Sequence, residues 1–104
     1  LRHLFNSLVD MPDFLNQSDI HLWDKALAPG YGQFGSLGPQ ALKLMAQSEG
    51  HILDPVYTAK SFAAIPSLVG DGFISEGSRV LFLHTGGSAG LFAYQNEIHN
   101  LFTR

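Results

Sequence analysis

An α/β layer with parallel strands is the fold class the sequence predicts, and three observations lead to it. Stripes of helical period alternate with short apolar or alternating runs, in the order helix, strand, helix, helix, strand, helix. Val80-Leu81-Phe82-Leu83 is unbroken by any polar residue, the pattern of a strand buried on both faces. Glycine- and proline-rich stretches separate these runs. Two strands alone do not make a stable sheet, so the expected sheet draws its other strands from elsewhere.

The first expected helix spans residues 1–9, where Leu1, Leu4, Phe5, Leu8 and Val9 form one stripe. Asp10-Met11-Pro12 stops it, because the residue before proline avoids the α region. Ile20-His21-Leu22-Trp23 alternates and predicts the first strand. Ala28-Pro29-Gly30-Tyr31-Gly32-Gln33-Phe34-Gly35 has no periodicity and predicts a loop. Gly38-Pro39 opens the second helix, with proline at a tolerated first-turn position, and Gly50 is its expected C-cap. A third helix is expected from Tyr57 or Thr58 to about Val69, with Phe62, Ile65 and Val69 on one face. Pro66 lies within it and predicts a bend or an early end. Gly70-Asp71-Gly72 and Ser75-Glu76-Gly77-Ser78 predict turns, residues 80–83 the second strand, and residues 88–94 a short helix. Residues 95–104 are expected to be a loose tail.

The chain has 104 residues, enough for one domain or part of one, and its 45% hydrophobic and 12% aromatic content can furnish a core. Only 14% of residues are charged, against about 25% in an average soluble protein. That deficit predicts a surface partly covered by further protein, as in a fragment or an obligate subunit. The start at Leu1-Arg2-His3, without methionine, carries the same expectation. A net charge of −3 with six scattered basic residues gives no electrostatic footprint for nucleic acid. No apolar run approaches the roughly 20 residues of a membrane helix. Cysteine is absent, which removes disulfides and thiolate metal ligands. The five histidines lack metal-ligand spacing, so no metal is expected.

Three places could carry chemistry. His84-Thr85-Gly86-Gly87 ends the expected buried strand, where ligands of open α/β sheets bind. Thr85 could meet a ring nitrogen and the two glycines could let the backbone pass a flat ring. Alternatively the segment is a tight turn with Thr85 bonding its own backbone. Tyr57 follows Asp54-Pro55-Val56; a phenol of lowered pKa could work there as general acid or base, or it could be a partly buried tyrosine with a satisfied hydroxyl. Tyr31, between Gly30 and Gly32, is positioned by its loop for ligand stacking or for loop packing. Ser88 does not satisfy Gly-x-Ser-x-Gly and has no evident triad partners.

Glu49-Gly50-His51-Ile52-Leu53-Asp54-Pro55-Val56-Tyr57-Thr58-Ala59-Lys60, Val80-Leu81-Phe82-Leu83-His84-Thr85-Gly86-Gly87 and Gly90-Leu91-Phe92-Ala93-Tyr94 together resemble the C-terminal part of the D-cysteine desulfhydrase and 1-aminocyclopropane-1-carboxylate (ACC) deaminase family. The likeness covers residues 19–94. It implies a piece of a fold type II, tryptophan-synthase-β-like enzyme using pyridoxal 5′-phosphate (PLP). By that resemblance Tyr31 and Tyr57 are the catalytic tyrosines, and Thr85, Thr58, Gly86 and Gly87 border the cofactor, with Thr85 toward its ring nitrogen. Thr58 stands where the deaminases carry a glutamate, and the strand ends His-Thr-Gly-Gly rather than His-Leu-Gly-Gly. Both differences favour the desulfhydrase branch and imply α,β-elimination of D-cysteine to pyruvate, hydrogen sulfide and ammonia. ACC deaminase, cysteate sulfo-lyase and a non-catalytic remnant that packs or oligomerises are the alternatives.

Two positions depart from the family: Ala59 replaces a glycine and Pro66 interrupts a helix. The lysine that carries PLP and the phosphate loop lie upstream in these enzymes, and Lys25, Lys43 and Lys60 match neither. The resemblance further implies a small amino-acid substrate, the upstream enzyme chain as partner, a homodimer and a cytoplasmic location.

Overall fold

The computed structural model describes residues 2–9 and 16–103. Its elements are α1 (Arg2–Val9), a 3-10 turn at Gln17–Asp19, α2 (Leu37–Glu49), α3 (Thr58–Phe62), α4 (Ala64–Gly70), a 3-10 helix at Ser88–Tyr94 and α5 (Gln95–Thr103). The expected α/β layer is not formed. Among the described residues every regular element is helical and no strand is present.

The two expected strands have no regular structure. Residues 20–23 and 80–83 have no ladder partner among the described residues. Residues 80–83 are also not buried on both faces: Leu81 is 95% exposed, Leu83 76% and Val80 45%, and only Phe82 turns inward. An apolar run has the hydrophobicity of a buried strand, but a strand exists only when a neighbour accepts its N–H groups.

The helical expectations fare better. Residues 2–9 are helical as the stripe predicts; the stop at residues 10–12 lies outside the described residues. Helix α2 ends at Gly50, whose φ of 70° is the left-handed cap conformation that glycine adopts freely. The third expected helix is split at Ala63 into α3 and α4, three residues before Pro66. Pro66 is the third residue of α4, where a missing N–H breaks no intrahelical bond. The residues expected to trail loosely form α5 instead. Its Leu101 packs against Leu42, Leu53 and Ala59, and Lys43 Nζ donates to the Leu101 carbonyl at 3.2 Å.

The core consists of two small clusters. Ala26, Ala41 and Ala63 form one, flanked by Trp23, Leu37 and Phe62. Leu42, Leu53 and Ala59 form the other, flanked by Met45, Phe62, Phe82 and Leu101. Phe62 touches both and meets Phe82 edge-on at a centroid distance of 5.3 Å. The packing of α3 on α2 therefore fixes where α3 begins, and with it where Tyr57 stands.

Candidate functional site

The turn from Asp54 to Thr58 is closed by a buried carboxylate. Asp54 is 1% exposed and accepts from the N–H groups of Val56, Tyr57 and Thr58 at 2.8–2.9 Å. The Thr58 hydroxyl donates to Asp54 Oδ1 at 2.7 Å and accepts from the Asp54 N–H at 2.8 Å. Burial by itself pushes the Asp54 carboxyl up. The Thr58 hydroxyl and the three backbone N–H groups outweigh that and hold it below its ordinary value. The outcome is an ionised carboxylate that fixes Tyr57 at the start of α3.

Tyr31 arrives from the loop of residues 28–35. Gly35, at φ +64°, is required there, since a Cβ would lie 2.8 Å from the Ala28 carbonyl oxygen. Two side chains hold the loop on either side of Tyr31. Lys60 Nζ donates to the Gly30 carbonyl at 3.0 Å, and the Tyr94 hydroxyl donates to the Gly32 carbonyl. The Tyr94 ring stacks on Phe34.

These two scaffolds bring the phenols together. Tyr31 and Tyr57 oxygens are 2.6 Å apart, and either can be the donor. Their rings lie 6.0 Å apart, and both side chains are exposed, Tyr31 82% and Tyr57 54%. The bond to Tyr31, then partial burial, then the electrostatic effects of Tyr31, Asp54 and Tyr94 raise the Tyr57 phenol above 10.0. That direction is opposite to the lowered value expected of a general base. The geometry gives Tyr57 a retained proton.

Thr85 shares a cleft with Tyr57. The cleft is about 380 Å³ and includes Trp23, Val56, Lys60 and Ser61 in its wall. The His84-to-Gly86 turn is closed by the histidine ring, whose Nδ1 accepts from the Gly86 N–H at 3.2 Å. Closure through His84 spares the exposed Thr85 for the cleft. The other residues expected at the cofactor are differently employed. Thr58 is 1% exposed and its hydroxyl is committed to Asp54. Gly87, at φ +94°, packs on that carboxylate so closely that a Cβ would stand 2.7 Å from Asp54 Oδ1. Gly86 has open space on its Cβ side.

Thus Tyr57 is bonded to Tyr31 and shares a cleft with Thr85, Tyr31 does not line that cleft, and Thr58 and Gly87 pack on the Asp54 carboxylate. Asp54, Lys60 and Tyr94 were not singled out by the sequence reading. For Asp54 a signal was present: an aspartate followed by proline is a turn former whose carboxylate can accept from the N–H two residues on, as it does from Val56. For Lys60 and Tyr94 there was none, since their partners are backbone carbonyls 30 and 62 residues away.

Among the described residues no three metal-ligating side chains cluster, and no helix is long and apolar enough to cross a membrane. Trp23 Nε1 is buried without a hydrogen-bond partner among them.

Tyr57 thus joins an exposed phenol pair to a cleft whose wall also carries Ser61 and Thr85. Comparison with known proteins adds to this picture. The chain is 44% identical over 81 residues, 78% of its length, to the D-cysteine desulfhydrase of Salmonella newport. The same figures hold for the D-cysteine desulfhydrases of Salmonella heidelberg and Salmonella schwarzengrund. These matches bear out the resemblance drawn from the sequence motifs. The chain spans about a quarter of the length of those relatives. No family model matches the chain.

Proposed function

We propose that this chain is a piece of a PLP-dependent lyase that eliminates hydrogen sulfide from D-cysteine, with water consumed and pyruvate and ammonia formed. The observation that carries the reading is the 2.6 Å bond from the Tyr31 hydroxyl to that of Tyr57, which lines the same cleft as Thr85. The 44% identity to D-cysteine desulfhydrases supports the assignment of substrate class.

The residues suit one edge of the cofactor. A cleft of about 380 Å³ accommodates a substituted pyridine ring. Its wall offers a neutral hydroxyl at Thr85, which can meet a ring nitrogen without fixing a proton on it. Trp23 also lines the cleft. The lysines are engaged otherwise: Lys25 with Asp71, Lys43 with the Leu101 carbonyl and Lys60 with the Gly30 carbonyl. The reading therefore assigns the cofactor's covalent anchor to a part of the full enzyme other than these three residues. PLP, when bound, supplies the electron sink that stabilises negative charge at the substrate α-carbon.

This chain's own residues would manage protons at the opposite end of the bond to be broken. Tyr57, its phenol raised above the ordinary value by Tyr31, remains protonated at neutral pH and can donate to a departing sulfur. Tyr31 holds that hydroxyl in place and can pass a proton along the shared bond. Thr85 orients the ring. The same reading takes the working enzyme as a cytoplasmic homodimer acting on a small amino acid.

The test is sulfide and pyruvate release by the full-length protein from D-cysteine, with ACC and cysteate assayed in parallel. Preferential turnover of D-cysteine is expected. Deamination of ACC or sulfite release from cysteate at higher kcat/KM would transfer the assignment to those chemistries. Absence of turnover on all three by PLP-loaded protein would leave a non-catalytic role.

A further inference from the structure

The Tyr31 loop is gripped at the carbonyl before the tyrosine and at the carbonyl after it. The two grips come from different elements. Lys60 lies in α3, one turn beyond Tyr57, and Tyr94 ends the 3-10 helix of Ser88–Tyr94. Lys60 is unusual for a lysine, being only 9% exposed. Its stem runs over the first turn of α2, where a Cβ on the buried Gly38 would stand 3.2 Å from Lys60 Cγ. The ammonium emerges to reach Gly30 at 3.0 Å. Burying so long a side chain costs conformational entropy, and its headgroup bonds a single loop carbonyl rather than a carboxylate. That carbonyl adjoins a residue whose hydroxyl must meet Tyr57 at hydrogen-bond distance.

We propose that Lys60 and Tyr94 are positioning residues for the phenol pair: they clamp the Gly30 and Gly32 carbonyls so that Tyr31 stays bonded to Tyr57. The inference rests on the reading of Tyr31 and Tyr57 as the proton-transfer pair. Because Lys60 belongs to the same short helix that Tyr57 opens, the clamp ties both phenols to one rigid element. A displacement of Tyr31 by an ångström breaks the 2.6 Å bond without removing either hydroxyl. Tyr94 secures the far side of the loop, so loss of either grip leaves Tyr31 pivoting on the other.

The test is a pair of double-mutant cycles in the full-length, PLP-loaded enzyme. Lys60→Met keeps the apolar stem and removes the donor; Tyr94→Phe removes one hydroxyl. Each is combined with Tyr31→Phe. Each single variant should lower kcat on the order of tenfold, as misplacement of a reacting group does, while KM moves far less. In the Tyr31→Phe background neither should cause further loss, because there is no hydroxyl left to aim. Equal fold losses with and without the Tyr31 hydroxyl would overturn the clamp, and so would no loss in either background. If Tyr31→Phe alone matches the parent enzyme, the phenol-pair reading itself fails and the clamp falls with it.

A second readout is independent of turnover. With tyrosines carbon-labelled at the hydroxyl-bearing ring position, NMR titration should show the Tyr57 phenol falling back toward its ordinary value in Lys60→Met. An unmoved titration would count against the clamp even if activity fell. Should Lys60→Met prove unfolded by circular dichroism, the Tyr94→Phe cycle decides the matter alone.

Discussion

At the scale of single residues, Asp54 is the support on which the candidate site stands. Replacing it by alanine leaves three N–H groups and the Thr58 hydroxyl without their acceptor in a buried turn. The expected cost is about 3 kcal/mol, more than a single exposed cap because several donors are orphaned together. A urea midpoint measured for the full-length variant checks it. The pH dependence has a definite sign. The folded carboxyl titrates below its ordinary 3.8, so its contribution is complete above that value and disappears as pH falls through the folded pKa. Midpoints of the parent should therefore drop below about pH 4, and those of Asp54→Asn should drop less over the same window. Tyr57→Phe belongs to chemistry rather than stability. It should cut turnover on the order of a hundredfold with PLP binding little changed, as for loss of a general acid. Equal losses of turnover and cofactor affinity would remove the proton-transfer role. Thr85→Ala should shift the bound cofactor's absorption band, and an unchanged band would take Thr85 away from the ring nitrogen. The motifs single out Tyr31, Tyr57 and Thr85, and the structure links the first and third to Tyr57 in separate ways. The Asp54 support was not legible, because Thr58 and Gly87 sit beside those residues in sequence yet face the carboxylate.

At the scale of elements, the departure of Ala59 from the family's glycine has a structural consequence. Its methyl is wholly buried against Leu42 and Leu53, where α3 meets α2. Ala59→Gly should destabilise by roughly 1–2 kcal/mol, combining helix propensity with loss of a buried methyl. Thermal unfolding of the full-length protein measures it, and an unchanged midpoint would mean that the cluster closes over the gap. The division between α3 and α4 shows where sequence reasoning met its limit. Pro66 signals a discontinuity, and one exists, but at Ala63, because a proline is comfortable in the first turn of the following helix. Helix α5 was missed for a different reason. Its apolar residues Ile98, Leu101 and Phe102 do have helical spacing, but nine residues give few repeats, and its anchor is the distant Lys43. Short helices take their stability from what they pack on, so their own sequence carries a weak signal.

At the scale of the whole molecule, the described residues leave an imbalance between core and surface. The buried apolar residues are Ala26, Ala41, Leu42, Leu53, Ala59 and Ala63, four of them alanines. Outside them, Leu22 is 96% exposed, Leu81 95% and Leu83 76%. The sequence reading overestimated the sheet because hydrophobicity and length were right for strands at residues 20–23 and 80–83. What it could not supply was the neighbour, since pairing is a property of two segments and only one is written at each place. Unpaired backbone carrying bare leucines is an association hazard. The 104-residue chain prepared by itself should therefore elute ahead of an 11.3 kDa monomer on size exclusion and enhance the fluorescence of an apolar dye at neutral pH. Replacing Leu81 and Leu83 together by lysine should reduce both signals while leaving helical circular dichroism in place, because neither leucine belongs to the two packed clusters. A chain that runs as a dye-silent monomer before any substitution would mean that these leucines find cover within the chain, and their exposure would then be the statement to abandon.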